Sequence, residues 1–134
     1  MNKQQAYNSF WSGFGVLAFE ENSVPDDVVI NGLIESGIAK AKYPYITYQV
    51  ITDDLDGKVF PSASIYDKST SWERVDLLAN LISERIQQMS TIELDNGRMF
   101  IAKGSPFSQH MFENGDISIK RILLNLGVEF FTEF

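Results

Sequence analysis

Apolar residues recur at helical spacing most clearly between Thr70 and Met89. Trp72, Val75, Leu78, Ala79, Ile82, Ile86 and Met89 fall on one stripe, and Glu73, Arg74, Asp76, Glu84, Arg85 and Gln88 fall largely outside it. The pattern predicts one long amphipathic helix over about 70–89, its apolar stripe in the core. Thr70 followed by Glu73 matches a capping box, in which the hydroxyl accepts from an orphan N–H and the carboxylate returns to the cap's own N–H. A shorter helix is predicted over residues 3–12, where Ala6, Tyr7, Phe10 and Trp11 share a face and Gly13 and Gly15 end the run.

Elsewhere the period falls to two. Ile46, Tyr48 and Val50 alternate with Thr47, Gln49 and Ile51, which predicts a half-buried strand. Asp53 to Gly57 is turn chemistry, and Val59 to Tyr66 reads as the antiparallel partner. Ile92 to Asp95 and Arg98 to Ala102 flank Asn96-Gly97, which predicts a hairpin with a type I′ turn, since both residues tolerate positive φ. Residues 104–107 turn the chain, and residues 108–116 read as irregular. Ile117 to Phe131 reads as a long strand with a bulge near Gly127. Residues 16–21 suggest a short strand, and Pro25 marks a turn. Residues 28–42 leave two readings open: the apolar spacing fits a helix, whereas Gly32 and Gly37 weaken it in favour of an ordered loop. The expected fold is α+β, one domain over residues 1–134. It has a mostly antiparallel sheet of about four to six strands, with the long helix across one face and the N-terminal helix nearby.

Composition narrows the chemistry. The net charge is −7, with 18 acidic and 11 basic residues. The basic residues are scattered, whereas a nucleic-acid grip needs them clustered. Lys120-Arg121 beside Lys103 is the nearest approach to a basic patch and is too small. There are no cysteines, so disulfides and thiolate metal sites are excluded. No apolar run approaches the length of a membrane span. The N-terminal residues lack the apolar core of a signal peptide, so synthesis in the cytoplasm without a removed leader is expected. Ten Phe residues are many for a chain of 134 and suggest that some apolar surface meets a partner.

No residue set earns a catalytic, cofactor or metal role. His110 is the sole histidine and would have to build a metal site or triad alone, so it reads as a surface or loop residue. Asp53, Asp54, Asp56 and Gly57 invite a calcium reading. Aligning Gly57 with the loop glycine puts Thr52 and Ala63 at two ligand positions, so they read instead as a solvated hairpin tip. Gly13-Phe14-Gly15 lacks the third glycine of a dinucleotide fingerprint. Glu20-Glu21 and Asp26-Asp27 are sequence neighbours that point apart, not acid/base pairs. Phe130, Phe131 and Phe134 are different. Consecutive phenylalanines on a strand face opposite ways, so one of Phe130 and Phe131 needs either a second intrachain layer or a subunit interface.

Several segments, read in order, resemble the tail-completion or tail-terminator proteins of long-tailed bacteriophages. They are the Phe10-Trp11 helix, Glu21 to Pro25, Pro44 to Tyr48, Ser64 to Val75, the helix to Met89, the Asn96-Gly97 hairpin, Gly104 to Met111 and Ile119 to Thr132. Together they cover about four fifths of the chain, and their order rather than any one motif carries the likeness. Residues 28–42 depart from it by their length. The resemblance implies a non-enzymatic virion protein without cofactors. It would form a ring, commonly a hexamer, at the head-proximal end of the tail tube. There it would stop tube polymerisation and dock on the head connector. Its partners would be copies of itself, the tube protein and the connector, with double-stranded DNA passing unbound through the lumen and no membrane involved. On that view Asp53, Asp54 and Asp56 would line the lumen and repel phosphate, and Phe130, Phe131 and Phe134 would serve interfaces. A head-closure adaptor, a tail-tube subunit, or an unrelated small enzyme or ligand-binding domain are the alternatives.

Overall fold

The computed structural model describes residues 2–50, 58–89, 91–112 and 118–132, with only the main chain of Phe112 and Thr132. Asp53, Asp54, Asp56 and Phe134 lie outside the described residues. The fold is α+β. Helix α1 (Lys3–Trp11) is followed by a 3-10 turn and strand β1 (Leu17–Glu20). Then come α2 (Asp27–Glu35), β2 (Tyr45–Tyr48), β3 (Lys58–Val59), β4 (Ser62–Lys68), α3 (Glu73–Gln88), β5 (Ile92–Leu94), β6 (Gly97–Phe112) and β7 (Ile119–Thr132).

Among the described residues these seven strands make one sheet, ordered β1-β2-β4-β7-β6-β5, with β3 on β7. All pairings are antiparallel except β1 with β2, a parallel pair that needs a crossover, and α2 supplies it. The predicted strand of residues 45–50 does pair with the segment ending near Tyr66, Tyr45 opposite Tyr66. That segment is split, however: Lys58–Val59 pairs with β7, and only Ser62 onward pairs with β2.

One face of the sheet is the core. Ile122, Leu124, Leu126, Val128 and Phe130, every second residue of β7, are buried in a single cluster. Val75, Leu78, Ala79, Ile82 and Ile86 of α3 join them, with Trp72 and Met89 packed at the ends, as the apolar stripe predicts. Ala6, Tyr7, Phe10 and Trp11 of α1 join too. Trp11 stacks on Tyr48, their ring centres 5.9 Å apart, and Tyr7 meets both edge-on. Asn2 and Gln5 cap α1 reciprocally, a capping box not noticed in the sequence.

Four expectations need correction. The Thr70–Glu73 capping box is absent: α3 starts at Glu73, after Trp72, which gives no side-chain cap. Ser69 and Ser71 hydroxyls instead accept from the N–H groups of Ser71 and Glu73, two residues on, and delay the helix start. The Asn96-Gly97 turn is not type I′, because neither residue has positive φ. Its loop is Asp95-Asn96, closed by the Leu94–Gly97 pair. Residues 104–107 do not turn the chain and residues 108–112 are not irregular: both stretches lie within β6, which runs to Phe112. The bulge lies on β6, not at Gly127. Gly127 pairs regularly with Ala102, and register shifts between Lys103 and Ser108. Gly104 sits there because a Cβ would lie 2.8 Å from the Asn125 carbonyl oxygen.

Candidate interaction surface

β6 and β7 run side by side for most of their length, so side chains alternate between the core and the opposite, outer face of the sheet. Phe130 points inward at 9% exposure, with the Lys3 ammonium 4.4 Å from its ring centre. Phe131 points outward, opposite Arg98, and is 45% exposed. Of the two readings open for this pair, the described residues supply no second layer over Phe131. Two phenylalanines not singled out in the sequence share its surroundings. Phe100 lies across from Glu129 and is 37% exposed. Phe60, 75% exposed, follows β3 and lies over Gly127, 3.8 Å from where a Cβ would stand.

Register defines this surface. Phe131, Glu129 and Gly127 are alternate residues of β7. Arg98, Phe100 and Ala102 are their partners on β6, and Lys58 of β3 is opposite Glu129. Glycine and alanine leave the strand surface low beside the three rings. Two cations, Lys58 and Arg98, are interleaved with them, each opposite a carboxylate: Glu129 of β7 faces Lys58, and Glu93 of β5 faces Arg98. The signal was available in the sequence as the odd-numbered parity of Phe131 against Phe130. Phe60 was less legible, because it sits between a two-residue strand and Pro61.

A second apolar surface lies on α2. Asp26 caps this helix by accepting from the Val29 N–H, and Lys42 pairs with Asp27 at 2.8 Å. That hydrogen bond raises the Lys42 pKa above its ordinary value. Ile30 is buried, but Val28 is 80% exposed and Val29 is exposed beside it. Gly32 lies one turn beyond Val28, and a Cβ there would meet nothing within 4 Å.

Other polar groups knit the fold. Asp67, fully buried, takes two hydrogen bonds from Arg74. His110 stacks on Trp72, ring centres 3.9 Å apart and 2° from parallel, and its Nε2 lies 2.8 Å from Asp76 Oδ1. The two residues join the far half of β6 to the start of α3. Lys103, Lys120 and Arg121 do not form a basic patch. Lys103 donates to Ser83, Lys120 lies over Trp72, and Arg121 bonds Ser64 on the outer face.

An open cleft of about 430 Å³ lies between β1 and residues 37–44. Its lining is mainly glycine, alanine and apolar side chains, with Lys40 and Tyr43 its titratable groups. Among the described residues no three His, Asp or Glu side chains converge as metal ligands, and no helix is long and apolar enough to cross a membrane. Comparisons with protein-family models, curated proteins and solved structures returned no match.

Proposed function

We propose that this chain is a structural protein of a long-tailed bacteriophage virion. It assembles, as a hexamer, into a ring at the head-proximal end of the tail tube. The ring ends tube polymerisation and joins the tail to the head connector, and the genome passes through its lumen. The ordered resemblance of its segments supports this reading. The observation that carries it is the Phe130–Phe131 pair: one ring completes the core, and the next stands on an exposed aromatic face that the described residues leave uncovered. A surface of this kind marks a contact with another macromolecule. Head-to-tail contact between copies generates a ring when the rotation closes.

The test is tail length. In phage whose gene for this chain is interrupted, tubes should grow beyond their normal length and remain without heads. Tubes of normal length joined to filled heads would refute the reading. Electron microscopy of the purified chain separates the neighbouring possibility of a tube subunit, which would form extended stacks rather than short rings or single copies.

A further inference from the structure

We propose that the open cleft between β1 and residues 37–44 receives Glu133 and Phe134 of an adjacent copy of this chain. The inference deepens the ring reading and rests on it for closure of the assembly, not for the contact itself.

The cleft follows from where strand pairing begins. β1 and β2 are joined only from Leu17 and Tyr45 onward, and the segments leading into them form its two walls. Gly15 and Gly37, at φ 76 and φ 80, turn those segments, and a Cβ on either would meet nothing within 4 Å. Ala39 and Ala41 add little bulk, and Ile38 in the same lining is 75% exposed. The volume, about 430 Å³, is that of a pocket able to take a ring-sized group.

Charge selects what enters. Among the described residues Lys40 is the only charged one in the lining, and its exposed ammonium has no ion pair or hydrogen bond. Lys42 differs, because Asp27 holds it at 2.8 Å and the Tyr43 ring lies 5.1 Å away. On a chain of net charge −7, an unmatched cation beside an apolar hollow calls for an aromatic group carried next to a carboxylate.

Glu133-Phe134, beyond the described residues, has that chemistry and follows the end of β7. The pairs Phe19-Glu20, Tyr66-Asp67, Trp72-Glu73 and Glu129-Phe130 are built into strands or the start of α3. Phe112-Glu113 opens a stretch that must return to β7, since Phe112 is paired with Lys120. The cleft of the same copy is out of reach. Tyr45 pairs with Tyr66 and Tyr66 with Arg121, so the cleft lies at the Arg121 end of β7. Thr132 stands eleven residues further along that strand, about 36 Å at the ordinary strand rise. Two residues span at most about 7 Å. The segment therefore comes from a second copy. Segment and cleft are different patches of one chain, which defines a head-to-tail contact, not a two-fold one.

Fluorescence anisotropy tests the contact with the full chain and a labelled, amidated peptide of residues 130–134. The peptide should bind the parent chain. Lys40→Glu should weaken binding several-fold, and a Glu133→Lys peptide should bind the Lys40→Glu chain more tightly than the parent peptide does. Phe134→Ala in the peptide should weaken binding about tenfold, in line with losing one buried apolar side chain. Lys40 is exposed, so thermal unfolding of Lys40→Glu should match the parent chain and certify folding. No binding, or binding indifferent to either Lys40 or Phe134, would overturn the contact. Short rings in electron micrographs of a chain that fails this test would sink the contact and leave the ring standing. Binding that passes it, by a chain absent from phage tails, would keep the contact and sink the ring.

Discussion

Asp67, wholly buried on β4, holds the guanidinium of Arg74 across the start of α3, with Oδ2 2.9 Å from Nε and Oδ1 2.6 Å from Nη2. The fork geometry satisfies both carboxylate oxygens. It also ties the strand to the first turn of the helix, which has no side-chain cap of its own. Removing one partner of a buried pair costs more than the pair is worth, because the other charge stays in place. The Arg74 side chain is 53% exposed, so water softens the loss. Arg74→Ala should therefore cost about 2–3 kcal/mol, at the low side of buried-pair values. Asp67→Asn, which leaves no buried charge, should cost about 1 kcal/mol. Urea unfolding of the two variants checks the order; equal losses would contradict it.

Gly104 and Gly127 should respond oppositely to alanine. At Gly104 the new methyl would press on the main chain of Asn125, which cannot rotate away. The expected cost is about 2–3 kcal/mol, in the range of overpacked cores. At Gly127 the methyl would meet the Phe60 ring at ordinary contact distance. Its cost should stay within about 0.5 kcal/mol, as at other surface positions. The comparison by thermal unfolding locates the bulge: a larger loss at Gly127 would move it back to β7.

The same pair of glycines shows where the sequence was readable. Strand and helix periods were strong, so the α3 stripe, the α1 face and the β2–β4 pairing could be read directly. The bulge could not. Gly104 to Phe107 has the composition of a turn, and only the register with β7 shows that β6 runs through it. Asn96-Gly97 misled for a related reason. Tolerance of positive φ permits a type I′ turn without requiring one. The start of α3 went to Ser69 and Ser71 because local serine bonds competed with the Thr70 cap. In residues 28–42 the helix reading prevailed as far as Glu35. Ser36 ends it, and Gly37 at φ 80 turns the chain away. Of the candidate interface residues, Phe130 and Phe131 separated by strand parity as expected, one to each face. Phe60 and Phe100 joined Phe131 only through pairing across strands, which no local window contains.

Tyr7 gives a prediction in pH. Burial pushes its hydroxyl well above the ordinary 10.0. The Trp11 indole opposes the shift, but Tyr7 Oη and Trp11 Nε1 do not meet hydrogen-bond geometry and both are buried without a partner. The folded state holds the neutral phenol longer than the unfolded chain does. Its contribution is therefore fully present below pH 10.0 and falls as pH rises toward the folded value. Tyr48, raised chiefly by burial and further by Glu20, acts in the same direction. Tyr7→Phe should flatten the alkaline fall in stability. At neutral pH it should leave stability unchanged or raise it by up to about 1 kcal/mol, since it removes an orphan buried hydroxyl. A loss above about 1 kcal/mol at neutral pH would show that the hydroxyl has a partner.

Phe130 and Phe131 should divide stability from assembly. Phe130→Ala empties a core position and should cost about 3 kcal/mol, the lower end for Phe truncation. Phe131→Asp changes an exposed ring and should shift the unfolding free energy by no more than about 0.5 kcal/mol. In phage complementation the folded Phe131→Asp chain should nevertheless fail to restore tail length. Normal complementation by Phe131→Asp would remove that face from any essential contact.

The most direct measurement is the position of the chain in the particle. Gold-labelled antibody against an epitope tag on the chain, imaged on intact virions, should mark the junction between head and tail tube and nowhere along the tube. Particles that infect normally and carry no label there, or label spread along the tube, would contradict the account.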